Sequence, residues 1–186
     1  MNKSTEYKIT VLNQSKDLLA IRTEWNELVY ADQTNSIFQT WEWIYYHLDY
    51  ANPSQKPFII EVRNSSKKLV GVCPLFLRKT FLFKLIPISI LEFVGSGDSD
   101  YLGILTDPND REVVIKTIVE WITSINIWGV IDLRSLREPR AIDRYLKNKT
   151  GKLKHKSKQL IDDLCPYLAL DPNWQSLNDG LSSSLQ

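Results

Sequence analysis

Two strand-like runs, Phe58 to Arg63 and Leu69 to Leu77, are joined by the short polar turn Asn64-Ser65-Ser66-Lys67. A linker that short folds the second run back on the first, so the pair is expected to form an antiparallel hairpin. Pro74 falls inside the second run. It has no N–H to give to a ladder, which predicts an edge or a bulge at that point.

The remaining elements are arranged around this hairpin. Strands are expected at Lys8 to Leu12, Ile88 to Val94, Leu102 to Leu105, Val130 to Leu136 and Tyr167 to Leu170. Leu18, Ile21, Trp25 and Leu28 recur at spacings of three and four, which predicts one helix from Asp17 to Ala31. A second helix over Thr40 to Ala51 carries Trp41, Ile44, Tyr45 and Leu48 on one face and Trp43, Tyr46 and Tyr50 on another. A helix apolar on two sides is buried between layers or pressed against a partner. Asp107-Pro108 reads as a helix start, because Asp caps free amides and Pro suits the first helical position. Val114, Ile118, Trp121 and Ile125 continue it as an amphipathic stripe. A short helix is expected over Pro139 to Asn148, and a last one after Asp171-Pro172 with Trp174, Leu177 and Leu181. Alternation of this kind specifies an α/β (α+β) layer structure with one mixed sheet.

A chain of 186 residues suits one domain. Its 23 basic and 22 acidic side chains leave a net charge of +1, without the basic excess that phosphate neutralisation demands. No nucleic-acid partner is expected. Arg144, Lys147, Lys149, Lys152, Lys154, Lys156 and Lys158 form the one basic run. Lysine at every second position from 152 to 158 suits a solvated edge strand that resists further pairing. The same run could meet an anionic partner. Cys73 and Cys165 each precede a proline in an apolar run, with no metal-ligand spacing around them. They read as buried thiols of a reducing compartment. His47 and His155, the two histidines, have no nucleophile-triad or metal pattern. The apolar stretches are too short to span a bilayer and the amino terminus has no signal-peptide core, so a cytoplasmic protein without an integral membrane segment is expected.

Five pieces then occur in order: Trp25-Asn26-Glu27-Leu28 with Ile37-Phe38-Gln39-Thr40-Trp41-Glu42-Trp43; Leu69-Val70-Gly71-Val72-Cys73-Pro74-Leu75; Phe93-Val94-Gly95-Ser96-Gly97 with Ser99-Asp100-Tyr101; Ile131-Asp132-Leu133; and Cys165-Pro166-Tyr167 with Leu170 and Trp174. Together they resemble the amino-terminal half of CelD-like, FemAB-related acyltransferases of the GNAT superfamily. The resemblance implies a GNAT-like mixed, mostly antiparallel sheet flanked by helices. It implies a lobe over residues 1–170, with 171–186 starting a helix toward a second half. The implied activity is transfer from acetyl-CoA or another acyl-CoA to an amine or related acceptor, by direct attack on the thioester and without a metal. In some relatives the setting is polysaccharide or cell-envelope synthesis. The usual acyl-CoA machinery is expected in the second half, so the expectation is a truncated or half enzyme that works with a second GNAT lobe on a small-molecule or glycan acceptor.

The same resemblance directs attention to the loop after the Ile88 to Val94 strand. GNAT enzymes hold the CoA pyrophosphate on backbone amides of a glycine-rich loop opening a helix. Gly95 and Gly97 occupy a similar place, but Glu92 stands where Gln or Arg is usual, and Asp98 and Asp100 would repel phosphate. A tight turn that needs glycine dihedrals accounts for the same pattern. Asp98 and Asp100 are the candidate catalytic carboxylates, able to take a proton from an amine if burial raised their pKa. Capping of local amides is the alternative. Phe38, Gln39, Trp43 and Tyr101 are the candidate acceptor-binding residues, with core packing as the alternative for the helical aromatics. Asp132 and Arg134 share one side of their strand, as an ion pair or a pocket floor. Two rival functions stand beside the transferase lobe. One is a non-catalytic binding or scaffold domain with a degenerate GNAT fold, and the other is an aminoacyl-tRNA-dependent, FemAB-like transferase.

Overall fold

The computed structural model describes residues 6–32, 35–50, 54–136, 142–146, 156, 158–160 and 173–180. Their elements are β1 (Lys8–Leu12), α1 (Ser15–Leu19), α2 (Arg22–Ala31), a 3-10 turn (Ile37–Gln39), α3 (Trp41–Asp49), β2 (Gln55–Arg63), β3 (Leu69–Leu82), β4 (Ile86–Phe93), β5 (Leu105–Thr106), α4 (Arg111–Ser124), β6 (Val130–Asp132) and α5 (Trp174–Gly180). Residues 142–146 are also helical. The strands form one sheet in the order β1-β2-β3-β4-β6, with β5 added to β3. Every pairing is antiparallel except β4 with β6. This is the expected mixed, mostly antiparallel sheet flanked by helices.

Strand periodicity explains the layers, since alternate residues of each strand face opposite sides. Ile60, Val62, Cys73, Leu75, Leu91 and Phe93 face α4 and pack on Val114, Ile115 and Ile118. Ile59, Val72 and Phe76 face the other way, under Trp25, Leu28, Trp41, Ile44 and Leu48 of α2 and α3. Both buried indoles are satisfied: Trp25 Nε1 donates to the Gln39 carbonyl at 2.9 Å and Trp41 Nε1 to the Leu18 carbonyl at 2.8 Å. Gly71 lies under α4 so closely that a Cβ there would stand 2.3 Å from Val114 Cγ1.

Three local expectations are corrected. The single helix from Asp17 to Ala31 is two helices, broken at Ala20 and Ile21, where Ile21 takes φ −110° and ψ 7°. Leu18, Ile21 and Trp25 are nevertheless all buried, on the side their spacing marked. Pro74 is in a central strand, paired with Ile59 of β2. Its carbonyl accepts from Val94 N, so its nitrogen faces that same side, where the partner of β3 changes from β5 at Val72 to β4 at Leu75. The missing donor therefore falls where no ladder bond is required. Finally, α4 begins at Arg111 behind Asp110, not at Pro108. Asp107 Oδ1 instead accepts from Asn109 N at 3.0 Å and closes a turn one step earlier.

Cys73 is buried in the core facing α4, and burial pushes its thiol well above the ordinary range. Lys156 and Lys158 are exposed. The expected strand at Tyr167 to Leu170, Cys165, His155 and most of the strand from Lys152 to Lys158 lie outside the described residues.

Candidate active site

The parallel pair β4 and β6 brings two strand carboxyl ends side by side, with Glu92 opposite Asp132. In open α/β sheets ligands bind just outside such ends. The chain leaves β4 there through the Gly95 to Ile104 loop. Ser96 N donates to the Phe93 carbonyl at 3.2 Å and Asp98 N to the Gly95 carbonyl at 3.0 Å, so two turns follow one another. Gly95 has φ +83° and Gly97 φ +103°, left-handed values that favour glycine. At Gly95 space also decides, because a Cβ would lie 2.5 Å from the Ser99 hydroxyl. Gly97 faces open space.

Helix α3 packs beside this loop. Thr40 opens the helix: its hydroxyl oxygen accepts from Trp43 N at 3.4 Å, an N-cap that satisfies one of the free amides of the first turn. Trp43 Nε1 then donates to Ser99 Oγ at 2.9 Å. Phe38 meets the Trp43 ring edge-on at 5.1 Å, and Ser36 Oγ donates to the Tyr101 carbonyl at 3.3 Å. The Gln39 side chain is buried, its amide nitrogen next to Gly103, and its Oε1 has no hydrogen-bond partner. Phe38, Gln39, Trp43, Gly95 and Tyr101 are thus brought to one region. Asp98, Asp100 and Gly97 are exposed on the loop.

The second aromatic face of α3 is open. Ile37, Thr40, Glu42, Trp43, Tyr46, His47 and Tyr50 line a trough of about 490 Å³. The Trp43 and His47 rings lie 5.0 Å apart along it. Glu42 supplies a carboxylate at its margin. Burial opposes its charge, but the backbone amide, Arg22 and Asn26 hydrogen-bond it and hold it below the usual carboxylate range. Stacking faces with a few polar groups at the rim are suited to sugar rings and other amphipathic ligands.

An ion-pair row crosses the sheet near the strand ends. Arg78 Nε and Nη2 grip the Glu92 carboxylate at 2.7 and 3.1 Å, and Gln55 Nε2 adds a contact at 3.5 Å. The Glu92 hydrogen bond holds the Arg78 guanidinium above its ordinary range. Beside it, Arg134 Nε donates to Asp132 Oδ2 at 3.0 Å. Two like charges face each other across β4 and β6, and each is compensated by its own arginine. Sequence reasoning noted Glu92 only as a departure from a phosphate loop and missed Arg78. The signal was available: once β3 and β4 pair as a hairpin, Arg78 falls opposite Ile90, one same-face step from Glu92.

The loop does not fit a CoA pyrophosphate. The amides of Ser96 and Asp98 are turned inward, and the carboxylates of Asp98 and Asp100 stand on its exposed side. The turn before α4 holds Asp107, paired with Lys68 at 2.7 Å, and the helix's N-cap is Asp110, which accepts from Tyr7 at 2.7 Å. Among the described residues no three His, Cys, Asp or Glu side chains stand together as a metal site. No helix among them is long and apolar enough to cross a membrane.

No protein-family profile and no curated protein matches the chain. Solved structures do align with it. An acetyltransferase of Trypanosoma brucei superposes with a TM-score of 0.43 at 14% identity, covering 86% of this chain and 100% of its own. An aminoglycoside 6'-N-acetyltransferase of Acinetobacter baumannii gives 0.43 at 11% identity over 87% of this chain and 99% of its own. Glucosamine-6-phosphate N-acetyltransferase of Arabidopsis thaliana gives 0.42 at 13% over 86% and 99%. Overlap at this level assigns neither substrate nor mechanism to this chain.

Proposed function

We propose that this chain is the acceptor-side lobe of a GNAT-type acyltransferase, related to the CelD-like branch, that binds an amine-bearing or hydroxyl-bearing acceptor such as an amino sugar. The observation that carries the reading is the hydrogen bond from Trp43 to Ser99. It fastens the aromatic trough of α3 to the loop at the carboxyl ends of the parallel strands, so a ligand lying on the rings extends toward that loop. Phe38, Gln39, Trp43 and Tyr101 are the acceptor-side residues in this reading. Asp98 and Asp100 are the carboxylates exposed beside them, while Glu92 is committed to Arg78. The acyl donor is an acyl-CoA whose pyrophosphate is gripped by a second lobe, consistent with the poor fit of the Gly95–Gly97 turns.

A second reading has its own support. The acidic loop and the arginine-locked Glu92 leave little free machinery for chemistry at this end of the sheet, which favours a non-catalytic, glycan-binding domain built on the same fold.

Calorimetric titration separates the possibilities. Glucosamine or a short amino-sugar oligomer should bind the chain, and Trp43→Ala should weaken that binding about tenfold, the loss of one stacking ring. Acetyl-CoA alone should give no isotherm. An acetyl-CoA isotherm abolished by Gly97→Asp would replace the acceptor-lobe reading with a complete transferase. Acceptor binding without acyl transfer in the presence of any candidate second lobe would favour the glycan-binding domain.

A further inference from the structure

We propose that the tip of the β3–β4 hairpin is a membrane-docking element that inserts into the interface of a bilayer bearing anionic lipid. Beyond Lys79 the two strands continue as a ribbon, pairing Phe81 with Pro87 and Leu82 with Ile86. Phe83 and Leu85 are each 81% exposed and Phe81 is 64% exposed, with Leu82 and Ile86 also open to solvent. Successive residues of a strand point to opposite faces, so the ribbon is apolar on both sides as well as at its end. One protein surface would cover one side of such a wedge. A bilayer interface surrounds it on every side.

The charge pattern selects the lipid. From Leu77 to Leu91 the chain holds Arg78, Lys79 and Lys84 and no acid. Lys79 and Lys84 are exposed, and Lys84 stands at the turn between Phe83 and Leu85. Phe83 with φ 52° and Lys84 with φ 61° make the tight reversal that presents them. Apolar side chains entering the acyl boundary while lysines meet anionic headgroups is the usual physics of interfacial anchoring. The ribbon also fixes a geometry. Ile86 to Phe93 spans roughly 23 Å at about 3.3 Å per residue, so the loop at the end of β4 would be held that far above the tip.

The test is vesicle flotation with the full chain, using phosphatidylcholine vesicles and vesicles with about one-third phosphatidylglycerol, a composition that supplies the anionic surface. The protein is expected to float with the anionic vesicles. Phe83→Ser combined with Leu85→Ser should lower the bound fraction about tenfold, while Phe83→Trp should retain it. Lys79→Gln and Lys84→Gln should each weaken binding roughly fivefold. Circular dichroism establishes that each variant is folded, as these exposed side chains allow. Absence of binding to both compositions overturns the proposal. So does anionic binding that survives the Phe83 and Leu85 substitutions, which would move it to another basic surface. A concentration-dependent dimer dissolved by the same substitutions, without vesicle binding, would assign the tip to a second copy of this chain.

Discussion

Trp43 and Ser99, 56 residues apart in the chain, are joined by a 2.9 Å hydrogen bond from the indole nitrogen to the hydroxyl. That bond links the aromatic face of α3 to the Gly95 to Ile104 loop. The hydroxyl is buried in the space that a side chain at residue 95 would take. Ser99→Ala leaves the indole N–H without this acceptor and is expected to lower stability by about 1–3 kcal/mol in urea unfolding. Gly95→Ala should be more damaging than Gly97→Ala. Both place alanine at a left-handed φ, but only at 95 does the new methyl group collide with Ser99. Equal losses at the two glycines would show that backbone strain alone matters there.

Gly71 lets α4 lie directly on the centre of the sheet. Gly71→Ala would place a methyl carbon 2.3 Å from Val114 Cγ1, so the helix must lift or the strand must bend. Overpacking of this kind costs about 1–3 kcal/mol. Val114→Ala removes the colliding atom at the price of a small cavity. The double substitution is therefore expected to be more stable than the sum of the two single losses predicts, because the residues share one space. Thermal or urea unfolding of the three variants measures that coupling directly.

The sheet was legible because its strands announce themselves locally. The polar turn Asn64-Ser65-Ser66-Lys67 between β2 and β3 specified the hairpin. The two faces of α3 were also readable from spacing. What could not be read was register. Pro74 looked like an edge residue because nothing local reveals that β3 changes partner beside it. The helix break at Ala20 and Ile21 was hidden because the spacing of Leu18, Ile21, Trp25 and Leu28 suits an unbroken helix equally well. At the site, Phe38, Gln39, Trp43 and Tyr101 were picked out by residue type, whereas the Glu92–Arg78 pair and the bond to Ser99 depend on tertiary placement.

Acid should unfold this protein in part through Asp107. Its hydrogen bond to Lys68 lowers the carboxyl pKa, against the opposing effect of burial, and Asn109 adds further hydrogen bonds. A carboxylate with a depressed folded-state value contributes stability above its ordinary range and loses it as pH falls through the lowered value. Glu24, held down chiefly by its hydrogen bond to Arg63, acts with the same sign. Lys68→Met removes the main partner of Asp107. The stability difference between neutral pH and about pH 3 is therefore expected to shrink in that variant, by urea unfolding at each pH. A difference as large as in the parent chain would show that Lys68 does not set the Asp107 equilibrium.

Glu92 and Arg78 supply the sharpest test of what the polar row contributes. The Glu92 side chain is 12% exposed and that of Arg78 31%, so the carboxylate is the more deeply desolvated partner. Arg78→Met leaves that carboxylate with only the long contact from Gln55 and is expected to destabilise the fold strongly. Glu92→Met alone should be milder, because the longer and more exposed arginine can swing toward water. The double substitution removes both desolvation penalties and places two apolar chains beside Phe76 and Ile90. It is expected to be more stable than Arg78→Met alone. A double-mutant cycle by urea unfolding gives the coupling energy. If the double variant were instead the least stable of the three, the pair would be a net source of stability, and its place beside the loop would not need a functional explanation.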